Sequence, residues 1–564
     1  MVFNEFKYER PNYEATKERL AILINKITES DSISDIKNLI NEINVIRSNI
    51  DTLGNIAYIR YSINTEDEFY TKEIEYWDEY EPLFNEINSE FYKSIVGNKF
   101  RNELEKEFSK QFFSIAEYNL RAFSKDVIED LQLENKLSSE YSKLIASANI
   151  LFEGEERNLS GLRPFILSKD RDMRKRASEA KYKFYTDNET EIDRIYDDMV
   201  KVRTKIAHKL GFENFVELGY IRMLRTDYNS DMVKNFREQV KELIVPVANK
   251  LYERQKNRLP LEELKYYDED FEFLTGNAKP KGDAQWIVNN GIKMYSELSS
   301  ETKEFFDFMI KNQLMDLVTK KGKESGGYCT YISDYKSPFI FSNFNGTSGD
   351  VDVLTHEAGH AFQCYRSKWI NIPECNFPTN ESAEIHSMSM EFFTWPWMKL
   401  FFKDEEQKYK YVHLGGAIKF IPYGVTVDEF QHFVYENPNA TPEERKTAWR
   451  NIEKQYLPHK NYKECDFLER GGWWLQQGHI FNSPFYYIDY TLAQICALQF
   501  WKKNQEDHDE SWGDYLKLCD VGGTMSFVNL VKHANLISPF EDGCVSSIIG
   551  DIDKYLESIE DIKL

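Results

Sequence analysis

Between residues 13 and 145 only Gly54, Pro82 and Gly97 interrupt a chain otherwise made of residues that tolerate a helix. No other feature limits the fold as strongly, because Gly and Pro are the residues that break helices and strands. Apolar residues recur at intervals of three and four, as in Leu20, Leu23, Ile24 and Ile27 and again in Ile40, Ile43 and Ile46. That spacing predicts a succession of long amphipathic helices. Phe69, Tyr70, Ile74, Trp77 and Tyr80 carry large side chains on the same spacing and read as helix-packing core, or as one wall of a cleft. Further on, residues 150–152 and 159–162, around Gly154, read as a short strand pair or loop. Residues 170–210 read as a helical run, and residues 227–258 as a helix interrupted near Pro246. The polar, turn-rich residues 260–283 read as a surface connection between lobes.

The second strong feature is His356-Glu357-Ala358-Gly359-His360, with apolar Val351, Val353 and Leu354 before it and Ala361 and Phe362 after it. On a helix, positions i and i+4 share a face, so both imidazoles can meet one zinc ion. Glu357 follows the first of them, where a carboxylate can serve as the base for a water molecule. Burying this many polar groups with nothing to bind would be costly, which argues for a metal. Just upstream, Ser337–Phe344 is β-branched and aromatic and is followed by the Gly-rich stretch 345–350. These read as strands and then a flexible loop, either with an open strand edge that a peptide could join or as an ordinary core strand and its connection.

Zinc needs a third protein ligand. A His six residues after His360 is absent; that position is Arg366. A carboxylate on a following helix is the alternative. Glu384 and Glu391 are two turns apart on one face, with Glu381 about 60° round from Glu384, and spacing does not choose among the three. His386 points away from Glu384 and reads as structural. Cys364 shares the His356 and His360 face but reads as a buried, inert thiol.

The formal net charge of −23 argues against nucleic acid and anionic membrane surfaces as partners. Seven cysteines, an odd number with no C-x-x-C, fit free thiols in a reducing compartment. No apolar stretch is long enough to span a bilayer, and a soluble, cytoplasmic protein is expected.

His356-Glu357-Ala358-Gly359-His360-Ala361-Phe362-Gln363 and the later Ala383-Glu384-Ile385-His386-Ser387-Met388-Ser389-Met390-Glu391-Phe392 resemble the oligoendopeptidase F branch of the thimet-oligopeptidase-type zinc metallopeptidases. So do Gly478-His479-Ile480-Phe481, Pro484-Phe485-Tyr486-Tyr487-Ile488-Asp489-Tyr490 and the segment from Gly522-Gly523-Thr524 to Ser538-Pro539-Phe540-Glu541. The resemblance implies a mainly α, two-lobed, zincin-like fold with a small β-sheet beside the zinc helix and a deep central cleft. It implies one zinc ion per chain on His356, His360 and Glu384, Glu357 as general base, and Glu391 orienting a histidine ligand. It favours His479 and Tyr490 as oxyanion donors, with Tyr486 and Tyr487 near substrate. Ser483 followed by Pro484 reads as the start of the helix that carries these tyrosines. The expected division is an amino-terminal helical lobe, 1–195, and a catalytic region, 196–564. The expected activity is zinc-dependent endopeptidase action on internal bonds of short oligopeptides. A carboxypeptidase or dipeptidase is the runner-up, and a binding module would have no need of a base at position 357.

Overall fold

A computed structural model describes residues 1–320, 322–324 and 326–564. The amino-terminal helices form as their periodicity requires: α1 (Tyr13–Glu29), α2 (Ile33–Ile63) and α3 (Glu68–Val96). Each starts at a side-chain cap, with Asn12, Ser32 and Asp67 accepting backbone N–H groups of the first turn. Leu20, Leu23 and Ile27 of α1 meet Ile36, Ile40 and Ile43 of α2 and Phe84, Phe91 and Ile95 of α3 in a core of their own. Arg47 of α2 is buried against Glu374 and donates to the Tyr92 hydroxyl, tying this layer to the turn of helix at Pro373–Asn376. A hairpin, β1 (Ile150–Phe152) with β2 (Glu155–Arg157), turns at Gly154.

The run 170–210 is two helices, Arg171–Asp187 and Glu189–Lys209, because Asn188 bonds back to the Phe184 carbonyl with its backbone and its side-chain amide and ends the first. Position 195 lies inside the second. The interruption near Pro246 is a wide π turn, Val240–Ile244, that hands over to Val245–Arg258. The wide turn loosens the ladder where proline has no N–H to give. The stretch 260–283 is the turn-rich connection expected, with exposed ends, but its middle is not at the surface. Tyr266, Tyr267, Asp268, Phe271 and Phe273 are buried. Asp268 draws in Arg171 and Arg174, and the Gln255 amide donates to the carbonyls of Glu269 and Phe271. Polar residues that can satisfy one another internally do not have to stay at the surface.

A three-stranded sheet follows, β3 (Met315–Val318), β4 (Tyr328–Ile332) and β5 (Ser337–Phe344), in the order β3-β5-β4. β5 pairs parallel with β3 and antiparallel with β4. The apolar run Ser337–Phe344 is therefore the central strand with both edges taken, and not an open edge. A run buried on both faces is what a central strand requires; the edge strands are β3 and β4, and β4 is the one beside Glu357. The Gly-rich stretch after β5 is also not a loose loop. Asp350 accepts the amides of Asn345 and Gly346 at 2.9 and 2.8 Å and closes it against the next helix.

That helix is α4 (Gly349–Arg366), and it packs on β5 and on α5 (Asn380–Phe393). The crossing of α4 and α5 depends on Gly359. A Cβ there would lie 2.6 Å from the His386 carbonyl oxygen and 2.7 Å from Ser387 Cα. Gly359→Ala should therefore lower stability by about 3 kcal/mol, read as a fall in the thermal or urea midpoint; an unchanged midpoint would show that the crossing can relax. Two further helices complete the frame, α6 (Glu406–Glu436) and α7 (Tyr487–Glu506). Among the described residues no helix is long and apolar enough to cross a membrane, and all seven cysteines are free thiols.

Candidate metal centre and active site

α4 places His356 and His360 one turn apart, rings edge to face at 5.1 Å. α5 brings Glu384 to them: its Oε2 is 3.3 Å from His356 Nε2 and 3.6 Å from His360 Nε2. The three donor atoms lie within 4.8 Å of one another. Glu381 and Glu391, which spacing left open, are not in this group. The Glu381 carboxyl is buried and accepts from the Thr379 hydroxyl, and burial together with the Asp489 charge holds its pKa well above the usual range. Glu391 stands behind His356, its Oε1 2.7 Å from Nδ1.

Glu391 also accepts from a residue that the sequence reading did not reach. His413 of α6 places Nε2 2.7 Å from Glu391 Oε2. The Trp395 indole, which can only donate, bonds His413 Nδ1 at 3.2 Å, so the His413 proton sits on Nε2 and points at Glu391. With Glu391 taking the Nδ1 proton, His356 would present its Nε2 lone pair toward Glu384 and His360 once a metal displaced the Nε2 proton. No motif marks His413; it comes from a different helix.

The electrostatics ask for a cation. Burial raises Glu384, but the hydrogen bond and charge of His356, whose own pKa its partners Glu384 and Glu391 hold well above the usual imidazole value, outweigh it and bring it to about 2. Glu391 is brought to about 2 in the same way by His356 and His413. Burial lowers His360 to about 4 and leaves it neutral. Two imidazole nitrogens and a carboxylate oxygen converging in a mostly buried site fit zinc. Glu357 makes no hydrogen bond among the described residues and is raised to about 7 by burial. It lies beside the start of β4, where a Cβ on Gly327 would be 3.8 Å from its Oε1.

The other side of the site is a wall of rings. His479 lies 5.1 Å from Tyr487 and 6.1 Å from Tyr490 between ring centres, and Tyr486 lies 4.8 Å from Tyr490. All four are half-buried, whereas Ile488 and Asp489 between them are fully buried. Tyr486 donates to Glu384 Oε1 at 3.3 Å, and Ser387 donates to Oε2 at 2.9 Å, so the carboxylate is held from both sides. Gln477, which the sequence reading also passed over, fixes His479. Its Oε1 accepts from the Tyr423 hydroxyl at 2.6 Å, so its amide donates to His479 Nδ1 at 2.9 Å. That leaves the His479 proton on Nε2, a neutral donor, and burial lowers its pKa to keep it so. Burial, with the charges of Glu384, Asp489 and Glu357, raises Tyr490 to about 12 against the effect of its bond with Tyr486.

Ser483-Pro484 does not start the tyrosine helix, which begins at Tyr487. Ser483 instead ends the short helix Gly478–Asn482, and Phe485 takes a left-handed φ of 68°. Tertiary contacts impose this turn. Phe485 is fully buried, its N–H donates to Gln431, and its carbonyl accepts from buried Arg225, which also holds Asp489 at 2.7 Å. His386 and Cys364 are buried as expected, His386 donating from Nδ1 to the Ser382 carbonyl and the Cys364 thiol raised by burial.

Comparison with known proteins points to one family. A model of Peptidase family M3 matches residues 165–548, and one of the Peptidase M3 N-terminal domain matches residues 3–123. An oligoendopeptidase F homolog of Borreliella burgdorferi is 27% identical over 371 residues, which span 64% of this chain and 61% of that relative's length. The solved structure of PZ peptidase A with an inhibitor is 59% identical, covers 99% of this chain and all of its own, and superposes with a TM-score of 0.94. The oligoendopeptidase-F of Enterococcus faecium, 14% identical, covers 98% of each chain at a TM-score of 0.64 and shows the shared fold alone.

Proposed function

The chain belongs to peptidase family M3, a family of metallopeptidases, and from that premise we propose that it is a zinc-dependent endopeptidase of short oligopeptides. The observation that carries the reading is the convergence of His356, His360 and Glu384 from two helices, with a buried Glu357 that has no hydrogen-bond partner among the described residues beside them. One zinc ion per chain on those three side chains would supply Lewis acidity toward a peptide carbonyl and lower the pKa of a water molecule. The remaining steps belong to protein groups. A cation on the three ligands would pull Glu357 below the value of about 7 that burial and the Glu384 and Glu391 charges, opposed by His356, give it. As a carboxylate it takes a proton from the attacking water and returns it to the leaving amine. The peptide lies along the free edge of β4, where Gly327 adjoins Glu357, and pairs with the strand by backbone hydrogen bonds. His479 Nε2–H and the Tyr490 hydroxyl donate to the developing oxyanion, and Tyr487 lines the approach. A cytoplasmic location, and a division of the chain into a helical lobe and a catalytic region about a cleft, complete the proposal.

The test uses a quenched-fluorescent peptide blocked at both ends. Cleavage of an internal bond, lost with a chelator and restored by zinc, is expected. Hydrolysis only of peptides with a free terminus would identify an exopeptidase instead. Tyr490→Phe should lower kcat by about 10²–10³, or roughly 3–4 kcal/mol, with KM little changed, because the bond it removes is made mainly in the transition state. A raised KM at unchanged kcat would make Tyr490 a substrate contact.

A further inference from the structure

A cavity of about 480 Å³ opens between α2 and α3. Ile50, Trp77 and Phe84 give it an apolar, aromatic lining, and Asp51, Asn55 and Tyr58, along one stripe of α2, give it a polar rim. The same three rim residues touch β4 and the turn after it. The Asn55 amide donates to the Tyr331 carbonyl at 3.1 Å, the Ser333 hydroxyl donates to Asp51 at 3.2 Å, and the Tyr58 ring lies 5.4 Å from that of Tyr328. The cavity is thus continuous with the strand that passes Glu357. Tyr331 is four residues beyond Gly327, roughly 13 Å along an extended strand. A peptide paired with β4 cannot continue past this point, because Asn55 already occupies the Tyr331 carbonyl. Its next group is turned toward α2.

That mouth is negative. Among the described residues Asp51 meets only neutral donors within hydrogen-bond distance, Ser333 and the Asn55 amide. Arg47 also lines the cavity and acts on Asp51 more strongly than Asp334 or Glu81 does, but it is paired with the Glu374 carboxylate and its donors are taken by Glu374, Asn88 and Tyr92, so Asp51, Glu81 and Asp334 leave the mouth with an excess of negative charge. Asp51 is exposed on the rim of the cavity, where an incoming cation can reach it. A carboxylate beside aromatic rings suits a cation on an apolar stem or a bare ammonium. β4 runs from Gly327 toward Ile332, so a peptide pairing antiparallel places the residues before its cleaved bond near Tyr331.

We propose that this cavity is a substrate subsite for a cationic group three to four residues before the cleaved bond, supplied by a Lys or Arg side chain or by the free amino terminus of a short peptide. The proposal rests on the peptidase reading above. The experiment compares end-blocked quenched peptides carrying Arg, norleucine or Glu at the third and fourth positions before the cleaved bond. A second pair, without basic residues, differs only in a free or acetylated amino terminus. Wild-type enzyme should favour Arg over Glu by about fivefold to tenfold in kcat/KM, as expected for one half-exposed charge pair. Asp51→Asn should reduce the preference to about twofold, and Asp51→Lys should reverse it. A gain from the free terminus alone would assign the site to the ammonium. Equal rates for all peptides, or an unaltered preference in Asp51→Lys, would overturn the subsite while leaving the peptidase reading intact. Failure to cleave any peptide with zinc present would sink both.

Discussion

Glu357→Gln is expected to bind zinc and peptide as the wild type does and to lose turnover by about 10³–10⁴-fold. The substitution keeps size and shape, and Glu357 makes no hydrogen bond among the described residues that the amide would have to replace. What it removes is the ability to take a proton. No other side chain in the site can take over that role. His356 is occupied by Glu384 and Glu391, Glu384 is bound by Tyr486 and Ser387, and the His479 Nδ1 lone pair is filled by Gln477. The check is a set of three measurements on one preparation: metal content, affinity for an uncleaved peptide, and kcat. Zinc near one per chain with normal affinity and lost kcat is the expected result. Activity above about one per cent of wild type, below the 10²-fold floor for such a group, would remove Glu357 as the base.

Glu384→Ala is expected to strip the metal, and Glu381→Ala is not. Glu384 supplies one of three converging donors, so its loss should weaken zinc binding well beyond the about 10–100-fold caused by losing a group that only orients a ligand. Glu381 is one turn away but faces Thr379 and the buried Arg225–Asp489 pair. Its removal should cost stability and leave zinc in place. Metal analysis after dialysis against a mild chelator separates the two. The melting temperature gives an independent readout: a ligand present at a thousand times its dissociation constant stabilises the folded state by about 4 kcal/mol. The chelator should therefore lower the midpoint of wild type and of Glu381→Ala, and have no effect on Glu384→Ala. Equal zinc loss in both variants would mean the third ligand is wrongly placed.

The periodic sequence was enough for the long helices, since the spacing of Leu20, Leu23 and Ile27 or of Ile40 and Ile43 states which face is buried without reference to anything distant. Local chemistry was also enough for His356, Glu357 and His360, because an i, i+4 pair on one helix is a property of that helix alone. Family resemblance, more than spacing, separated Glu384 from Glu381 and Glu391. The geometry that puts Glu384 within reach of both imidazoles comes from how α5 crosses α4 at Gly359.

The failures share one cause. Residues 260–283 look like a surface connection until Arg171, Arg174 and Gln255 arrive from elsewhere to satisfy them. The run at Ser337–Phe344 reads as a strand, at an edge or in the core, and the choice is settled only by β3 and β4 on either side of it. Ser483-Pro484 carries a helix-start signal that Arg225 and Gln431 override by holding Phe485 in a left-handed turn. His413 and Gln477 carry no signal at all, and they matter only because α6 and the Gly472–Gln476 turn bring them to Glu391 and His479. The sequence by itself determined the helices, the imidazole pair and the Glu357 carboxylate beside it, all of which depend on neighbours within a turn or two. Tertiary structure alone decided the strand order, the tautomers of His356, His413 and His479 and the position of the tyrosine wall, because each is set by hydrogen bonds between residues far apart in the chain, whose partners no local pattern can specify.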